Sequence, residues 1–277
     1  MDPEKRIRIS VVIITYNSAN SLEPLLISLR RQTLLPDEII VVDGGSRDET
    51  VKIAKKFDCK IHIEPVKIRA KARNLGVQVA SGEILAFIDS DCIPERDWLE
   101  NLVRNFHRGE NIAGVSGKVL ALNKEKLIPR LLDLLSSGKP HYATWNIAYK
   151  KKVLEEVNGF DDRLHACEDQ ALAWKILRKG YKILWAPNAI VYHRHRESLV
   201  SFLKQQYEYG KWAVITRRLY GISYYKSLLL LFTLPLLFLF KYLRKISLHP
   251  LLPFLLTLSA ASYSLGSWRG FLCKLES

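Results

Sequence analysis

Two aspartates at the end of an apolar run are the residues of this chain whose spacing first suggests chemistry. Residues 85–88 (LAFI) are apolar and are expected to be buried, yet Asp89 follows them directly and Asp91 comes two positions later. Carboxylates crowded into one small space repel each other, and one takes up a proton unless a cation intervenes. Mg²⁺ or Mn²⁺, which favour oxygen ligands and substrate phosphates, would resolve this conflict. Alone, a DxD triplet is a weak signal, since such triplets also occur in solvated turns.

The first ninety residues alternate between strand and helix patterns. Apolar, largely β-branched runs predict strands over Ile9–Thr15, Glu38–Asp43, Lys60–Glu64 and Ile84–Ile88. Strands that alternate with helices predict an α/β fold, a mostly parallel sheet covered by helices on both faces. Ligands gather at the carboxyl ends of the strands in such sheets. Asp43 and Asp89 should therefore look into one crevice, with Asp91 joining them from the loop.

Apolar residues at helical spacing predict the elements between and beyond these strands. The first helix should be capped by Ser21 and end before Pro36. Further helices are predicted over 50–57, 69–80, 98–106, 127–135, 151–157 and 167–178, and further strands over 115–120, 143–149 and 181–185.

Six stretches then resemble, in order and spacing, the family 2 glycosyltransferases, which are inverting GT-A enzymes that use nucleotide-sugar donors. The resemblance covers roughly residues 7 to 200. Its motifs are TYNSANSLEPLLISLRRQT, EIIVVDGGSRDET, ARNLGVQVASGEILAFIDSDC, NGFDDRL, CEDQALAWKILRKGYKILWAP and VYHRHRES. Each motif is common alone, whereas the ordered set is specific.

The resemblance implies roles for named residues of this chain. The nucleoside would be held by Thr15, Tyr16 and Asp43, with Asp43 accepting hydrogen bonds from the base. A basic residue, Arg69 or Arg73, would contact the nucleotide, although both also fit a solvated helix face.

The metal and the donor sugar receive their ligands in the same way. Asp89 would lie near the ribose and the metal, Asp91 would ligate the metal directly, and His193 would complete the metal shell. Asn146 would lie beside the donor sugar. An ordinary loop histidine is the open alternative for His193.

The acidic pair Glu168 and Asp169 matches the position of the family's catalytic base, with Asp169 as the base itself. A sugar hydroxyl needs such a base because it is a poor nucleophile until its proton is accepted. The two acids would also complement the amino end of a helix, which is the structural alternative. Ala171 and Lys175 depart from the Asp and Arg that are frequent at these positions of the family.

Charge and hydropathy predict a membrane partner for the carboxyl-terminal part of the chain. The net charge is +14. From Leu199 onward the sequence contains ten lysine and arginine residues but only two acidic residues, Glu208 and Glu276. Basic and aromatic residues interleave there with uncharged runs over 227–240 and 247–268, which as helices would be about 21 Å and 33 Å long. A hydrocarbon core is about 30 Å thick, so the second run is long enough to span it. A buried soluble hairpin is the alternative, and nucleic acid is not an expected partner.

These observations predict a membrane-attached, inverting glycosyltransferase that depends on Mg²⁺ or Mn²⁺ and adds one sugar per event. Its predicted parts are a catalytic domain (1–197), an amphipathic interfacial helix (198–226) and a hydrophobic anchor (227–277), with the catalytic domain on the cytoplasmic side. The acceptor would be a glycan, a lipid-linked glycan or a polyprenyl phosphate. Processive synthases of this family carry a QxxRW motif, in which Glu208 replaces the glutamine here. The rival functions are a silent membrane scaffold and a nucleotidyltransferase.

Overall fold

The computed structural model describes residues 7–136, 140–223 and 252–273. Its strands are β1 (Ile9–Thr15), β2 (Glu38–Asp43), β3 (Lys60–Ile63), β4 (Ile84–Phe87), β5 (Cys92–Pro94), β6 (Ile112–Ala121), β7 (Ile147–Lys150) and β8 (Lys182–His193). Its α-helices are α1 (Ala19–Leu29), α2 (Thr50–Lys56), α3 (Arg69–Val79), α4 (Trp98–Val103), α5 (Leu127–Ser136), α6 (Lys151–Glu156), α7 (Glu168–Arg178), α8 (Leu199–Leu219) and α9 (Leu252–Leu272).

The eight strands form one sheet in the order β3-β2-β1-β4-β7-β6-β8-β5. The four amino-terminal strands pair in parallel, as their alternation with helices predicts. The strands β7 and β5 pair antiparallel with their neighbours, so the sheet is mixed at that side. Apolar residues on the two sheet faces pack into two separate clusters, which explains why the central strands carry apolar side chains throughout.

The parallel register brings the functional loops to one edge. Thr15 lies opposite Asp43 at the carboxyl ends of β1 and β2, and Val12 lies opposite Phe87 near the end of β4. The loops that follow these three strands therefore leave the sheet at the same edge. The predicted convergence of the Asp43 and Asp89 loops is confirmed at the level of the sheet.

Several element bounds differ from the prediction. The helix α1 begins at Ala19 with Ser18 at its cap position, so the predicted cap at Ser21 is wrong. The strand β8 runs on to His193 instead of ending at Trp185. A register shift between Gly117 and Lys118 of β6 accommodates the stretch around Pro187, which a regular ladder excludes.

The described chain divides into two compact units. One comprises the described parts of Met1–Asn123, Ser136–Arg163 and Asp169–Arg194, and the other those of Lys124–Leu135, Leu164–Glu168 and His195–Ser277. In the second unit, α5, α8 and α9 share a small apolar cluster of Ile128, Leu131, Phe202 and Leu255.

The helices α8 and α9 approach each other backbone to backbone. A Cβ added at Gly210 would lie 1.8 Å from the carbonyl oxygen of Tyr263, and one at Gly266 would lie 1.8 Å from that of Tyr207. Ser262 donates a hydrogen bond across the interface to the Leu203 carbonyl at 2.7 Å. Glycine is therefore required at both contacts.

Within the described ranges, no helix combines the length and hydropathy needed to cross a membrane. The uncharged run 227–240 lies outside the described residues, and the run 247–268 lies partly inside them, in α9.

Candidate active site

The Asp43 carboxylate organises the turn after β2. It is fully buried, and one oxygen accepts hydrogen bonds from the backbone N–H groups of Gly45 at 3.0 Å and Ser46 at 2.7 Å. The other oxygen accepts from Thr15 Oγ1 at 2.8 Å and from Ser46 Oγ at 2.5 Å. The four bonds occupy all the acceptor positions of a carboxylate. Asp43 therefore shapes the turn that would meet a nucleoside, and it has no free position for a base in this geometry.

A hydrogen-bond network locks the loop after β1 to the loop after β2. The Asn17 N–H donates to Ser46 Oγ at 2.7 Å, and Asn17 Oδ1 accepts from the Arg47 N–H at 2.9 Å. The Ser18 N–H donates to Thr50 Oγ1 at 2.7 Å. Asn17 adopts a left-handed backbone with φ of 49°, which asparagine tolerates better than most residues. The two loops thus form one preorganised rim.

Tyr16 projects from this rim with an exposed fraction of 45%. The Lys67 ammonium donates to Tyr16 Oη at 2.7 Å and lies 4.1 Å from the ring centroid. The hydrogen bond and the charge of Lys67 lower the pKa of Tyr16. Sequence reasoning missed Lys67, because no local pattern links it to a tyrosine 51 residues away.

Asp89 pairs with Arg73. The Arg73 guanidinium, which is buried, lies 3.4 Å from Asp89 Oδ1 and 5.8 Å from the centre of the Phe160 ring. An ion pair with one buried partner holds the Asp89 side chain at the end of β4. Arg69, the other predicted nucleotide contact, is exposed at the first position of α3.

The loop between β4 and β5 joins this region to the rim. Ser90 Oγ donates to Ser18 Oγ at 3.0 Å. The middle residue of the DSD triplet therefore ties the loop that carries Asp89 and Asp91 to the loop after β1. Thr15, Tyr16, Asp43, Asp89 and Asp91 thus belong to one connected edge of the sheet.

Asp91 and His193 meet across the β5–β8 pair. Asp91 Oδ1 lies 3.3 Å from His193 Nε2, and the Arg194 N–H donates to the Asp91 carbonyl at 3.1 Å. Asp91, His193 and Cys92 each offer a ligand atom, and these atoms lie within 4.8 Å of one another. A carboxylate oxygen and an imidazole nitrogen that face each other are donors that Mn²⁺ accepts. The residues present therefore fit a divalent metal, with Asp91 and His193 as its ligands.

Asp89 is not part of that group of donor atoms. Its predicted role as a metal ligand stays a prediction, and the pairing with Arg73 is the contact the structure shows.

Aromatic side chains flank His193. The Trp145 ring lies 4.7 Å from the His193 ring, and His141 contacts the edges of both Trp145 and Trp185 with centroids 6.0 Å apart. Burial lowers the pKa of His141 to about 4, so this imidazole is neutral near pH 7. His193 thus lies beside aromatic side chains that carry no charge near pH 7.

Asn146 has a packing role. It is fully buried, and its Oδ1 accepts from Trp98 Nε1 at 2.8 Å. Its Nδ2 donates to the carbonyls of Lys118 at 2.8 Å and Ala189 at 2.9 Å. Both amide hydrogens are used inside the protein, so this geometry does not support the predicted contact with a donor sugar.

The acidic pair begins α7. Glu168 is buried and Asp169 is half-buried, with Asp169 Oδ1 accepting from the Gln170 N–H at 2.7 Å. Burial, and after it the Asp169 charge, raises the pKa of the buried Tyr149. Cys167, the residue before the pair, has a left-handed backbone with φ of 63°. Strained backbone of this kind recurs at functional sites.

Lys175, which replaces the family's frequent arginine, is also explained by the structure. Its ammonium donates to the carbonyls of Val157 at 2.8 Å and Asn158 at 3.4 Å, and also to that of Gly159. Lys175 therefore fastens α7 to the NGF turn.

Comparison with known proteins identifies the family. The family model described as Glycosyl transferase family 2 matches residues 10–157, more than half of the chain, and that of Glycosyl transferase family group 2 matches residues 84–264. The O-antigen chain rhamnosyltransferase RfbN of Salmonella typhimurium is 29% identical over 212 residues, which cover 68% of this chain and 67% of that protein.

Two further proteins extend the comparison. The dolichyl N-acetyl-alpha-D-glucosaminyl phosphate 3-beta-D-2,3-diacetamido-2,3-dideoxy-beta-D-glucuronosyltransferase of Methanococcus voltae is 25% identical over 229 residues, 73% of this chain and 71% of that protein. The mannosyltransferase PcManGT from Pyrobaculum calidifontis, solved in complex with GDP-Man and Mn²⁺, shares the fold with a TM-score of 0.62 at 23% identity, over 94% of this chain and 75% of that one.

The chain spans between 46% and 72% of the length of the curated relatives it matches. The matched family models cover the GT-A-like sheet and the loops described above. The ordered motifs, the sheet and the matched models agree: the chain belongs to glycosyl transferase family 2 and is an inverting glycosyltransferase.

Proposed function

We propose that this enzyme transfers one sugar per event from a nucleoside-diphosphate sugar, with Asp91 and His193 holding Mg²⁺ or Mn²⁺. The observation that carries the proposal is the 3.3 Å approach of Asp91 Oδ1 to His193 Nε2, on a loop tied by Ser90 to the rim after β1. A divalent ion bound there offsets the negative charge that develops on the departing diphosphate.

The chain's own residues bind and orient the donor. Tyr16 offers an exposed ring for the nucleobase at the rim that Asp43 and Thr15 shape. Lys67 places a cation at the same ring. Arg73 holds Asp89 beside the metal ligands, and exposed Arg69 supplies positive charge for the nucleotide. A preorganised rim of this kind lowers the ordering cost of binding.

Asp169 accepts the proton of the acceptor hydroxyl. The hydroxyl oxygen attacks the anomeric carbon while the bond to the diphosphate oxygen breaks, so the configuration inverts in one displacement. General bases contribute about 10²- to 10⁴-fold to such rates. Glu168, the buried residue before Asp169, begins α7.

The acceptor is proposed to be a glycan carried on a lipid. One relative is named for transfer to a dolichyl-phosphate-linked sugar and another for an O-antigen chain. The basic, aromatic and apolar composition after Leu199 supports attachment to the membrane that holds such an acceptor, with the site on the cytoplasmic side.

Thermal unfolding and transfer assays test the proposal together. Uridine, guanosine, thymidine, adenosine and cytidine diphosphates are each added with and without Mn²⁺. The correct nucleotide with Mn²⁺ should stabilise the chain by about 2.7 kcal/mol at a hundredfold excess over Kd. Asp91→Asn should lose the Mn²⁺-dependent part of this shift.

Asp169→Asn should keep the nucleotide shift and lose about 10²- to 10⁴-fold in kcat. The exposed Asp162→Asn, seven residues earlier, is the matched control and should change neither measurement. Full transfer by Asp169→Asn would exclude Asp169 as the base. Equal shifts with and without Mn²⁺ would exclude the metal site.

A further inference from the structure

Cys92 lies against the proposed metal ligands, and nothing in the transfer reaction uses it. In the antiparallel β5–β8 pair, Cys92 is the direct partner of His193. Directly paired residues point to the same face of a sheet, with Cβ atoms about 4.5–5.5 Å apart. The side chains of Cys92 and His193 are therefore cross-strand neighbours.

Three chemically different donors thus meet at one place. The Asp91 oxygen, the Cys92 sulfur and the His193 nitrogen lie within 4.8 Å of one another. Cys92 is fully buried, the His193 side chain is 11% exposed and that of Asp91 is 40% exposed. The thiol is therefore the most buried of the three donors and the carboxylate is the most exposed.

We infer that Cys92 is a third protein ligand at this site, and that it gives the site a preference for thiophilic divalent ions such as Zn²⁺ and Cd²⁺. A combined S, N and O donor set suits Zn²⁺, which binds thiolate, imidazole and carboxylate in tetrahedral sites. Mg²⁺ and Mn²⁺ bind thiolate sulfur weakly, so their affinity for the site depends on Asp91, His193 and the phosphates of the nucleotide sugar.

Binding of the ion by Cys92 releases one proton. The S–H bond of Cys92 breaks, the proton passes to solvent, and the sulfur keeps the electron pair that forms the bond to the ion. No oxidant or reductant is involved.

The consequence is a metal-selective block of the enzyme. An ion that fills its coordination sphere with three protein ligands leaves fewer positions for a diphosphate than one held by two. Zn²⁺ or Cd²⁺ should therefore compete with Mn²⁺ and lower transfer. This inference rests on the proposed metal site of Asp91 and His193, and adds Cys92 to it.

Cd²⁺ titration of the full chain, without nucleotide, provides the direct test. Thiolate-to-cadmium charge transfer produces an ultraviolet absorbance band, and ¹¹³Cd resonances move downfield with each sulfur ligand. Both signals should appear at one equivalent of Cd²⁺. They should persist in Cys59→Ser/Cys273→Ser, whose half-buried thiols lie outside the group of donor atoms.

Cys92→Ser should abolish both signals and weaken Cd²⁺ binding. Loss of an outer-shell partner of a metal ligand lowers metal affinity roughly 10- to 100-fold, and loss of a direct ligand should lower it at least as much. Circular dichroism checks that this variant folds. If it does not, Asp91→Asn provides the second measurement, since its side chain is 40% exposed. It should weaken Cd²⁺ binding while the sulfur signal persists at saturation.

The outcomes separate this inference from the proposed function. Cd²⁺ binding without a sulfur signal, or an unchanged signal in folded Cys92→Ser, would overturn the role of Cys92 and leave Mn²⁺-dependent transfer intact. Absence of any Mn²⁺-dependent nucleotide shift would instead count against the metal site itself. A sulfur signal that Cys92→Ser alone removes would establish the third ligand.

Discussion

At the scale of single residues, the site is organised by acids that are already paired, one of them buried and the other half-buried. Asp43 accepts four hydrogen bonds and Asp89 pairs with buried Arg73. Both acids are at the positions that the motifs indicated, but their roles differ in kind from those of Asp91, whose side chain is 40% exposed. Residue types predict which acids matter. The hydrogen-bond and ion-pair partners of these acids come from distant parts of the chain. Only those partners show which acids shape the loops and which acids are available to a ligand.

Glu38 is the clearest case of a paired acid whose effect depends on pH. Burial opposes its ionisation, but hydrogen bonds from Lys60, Ser10 and Ser81 outweigh burial and lower its pKa from 4.5 to about 2. Its stabilising contribution is therefore complete above pH 4.5 and is lost as pH falls towards 2. The shift corresponds to roughly 3 kcal/mol, an upper bound because Lys60 is 56% exposed.

Glu38→Gln should accordingly lower the free energy of unfolding most above pH 4.5, by up to roughly 3 kcal/mol. The difference from the native chain should shrink as pH is lowered, because the native carboxylate then takes up a proton. Urea unfolding across this pH range measures it. Glu23→Gln, on the exposed face of α1, is the control and should show no such convergence. A difference that does not depend on pH would contradict the assignment.

At the scale of elements, sequence patterns predicted the parallel half of the sheet better than the rest. The bounds of β1 and β2 agree with the structure, because continuous β-branched runs buried on both faces leave few alternatives. The strand β5 was missed, since three residues carry no periodicity and form a strand only by pairing with β8. The extension of β8 past Pro187 likewise depends on a bulge that only the partner strand reveals.

The pair α8–α9 was not predicted, because it depends on glycines that look like interruptions in a sequence. Gly210 and Gly266 lie where the two backbones touch, so a side chain at either position would meet a carbonyl oxygen. Alanine usually stabilises a helix relative to glycine by about 0.5–1 kcal/mol. Here the sign should reverse.

Gly266→Ala should destabilise the chain by about 1–3 kcal/mol, as overpacking does elsewhere. Thermal unfolding of the full chain, together with limited proteolysis between α8 and α9, reports the effect. The adjacent Leu265→Ala is the matched control because that side chain is 58% exposed, and its effect should stay within about 0.5 kcal/mol. A stabilised Gly266→Ala would show that the helices do not make this contact.

At the scale of the whole molecule, charge and exposed apolar residues concentrate in the carboxyl-terminal part. The net charge is +14, and only two acids follow Leu199. On α9, Leu265, Trp268 and Leu272 are exposed and lie at helical spacing, so they share one side of the helix as an apolar stripe. The glycines that contact α8 lie on the other side. Arg269, in the last turn of α9, lies beside this apolar stripe, and an exposed apolar stripe is the part of a helix that inserts at a lipid surface. The attachment proposed above therefore does not require α9 to span a bilayer.

Vesicle flotation decides between attachment and its absence. The full chain should bind vesicles with phosphatidylserine more strongly than neutral ones, and added salt should weaken binding, because each basic residue near an anionic surface contributes about 1 kcal/mol. Trp268→Ser/Leu272→Ser should reduce binding to both kinds of vesicle, since burial of apolar side chains does not depend on lipid charge. Ile27→Ser, on α1 with 39% exposure and outside the carboxyl-terminal part, is the control and should bind as the native chain does. Binding that responds neither to lipid charge nor to the α9 substitutions would contradict the proposed membrane attachment, and with it the argument for a lipid-linked acceptor.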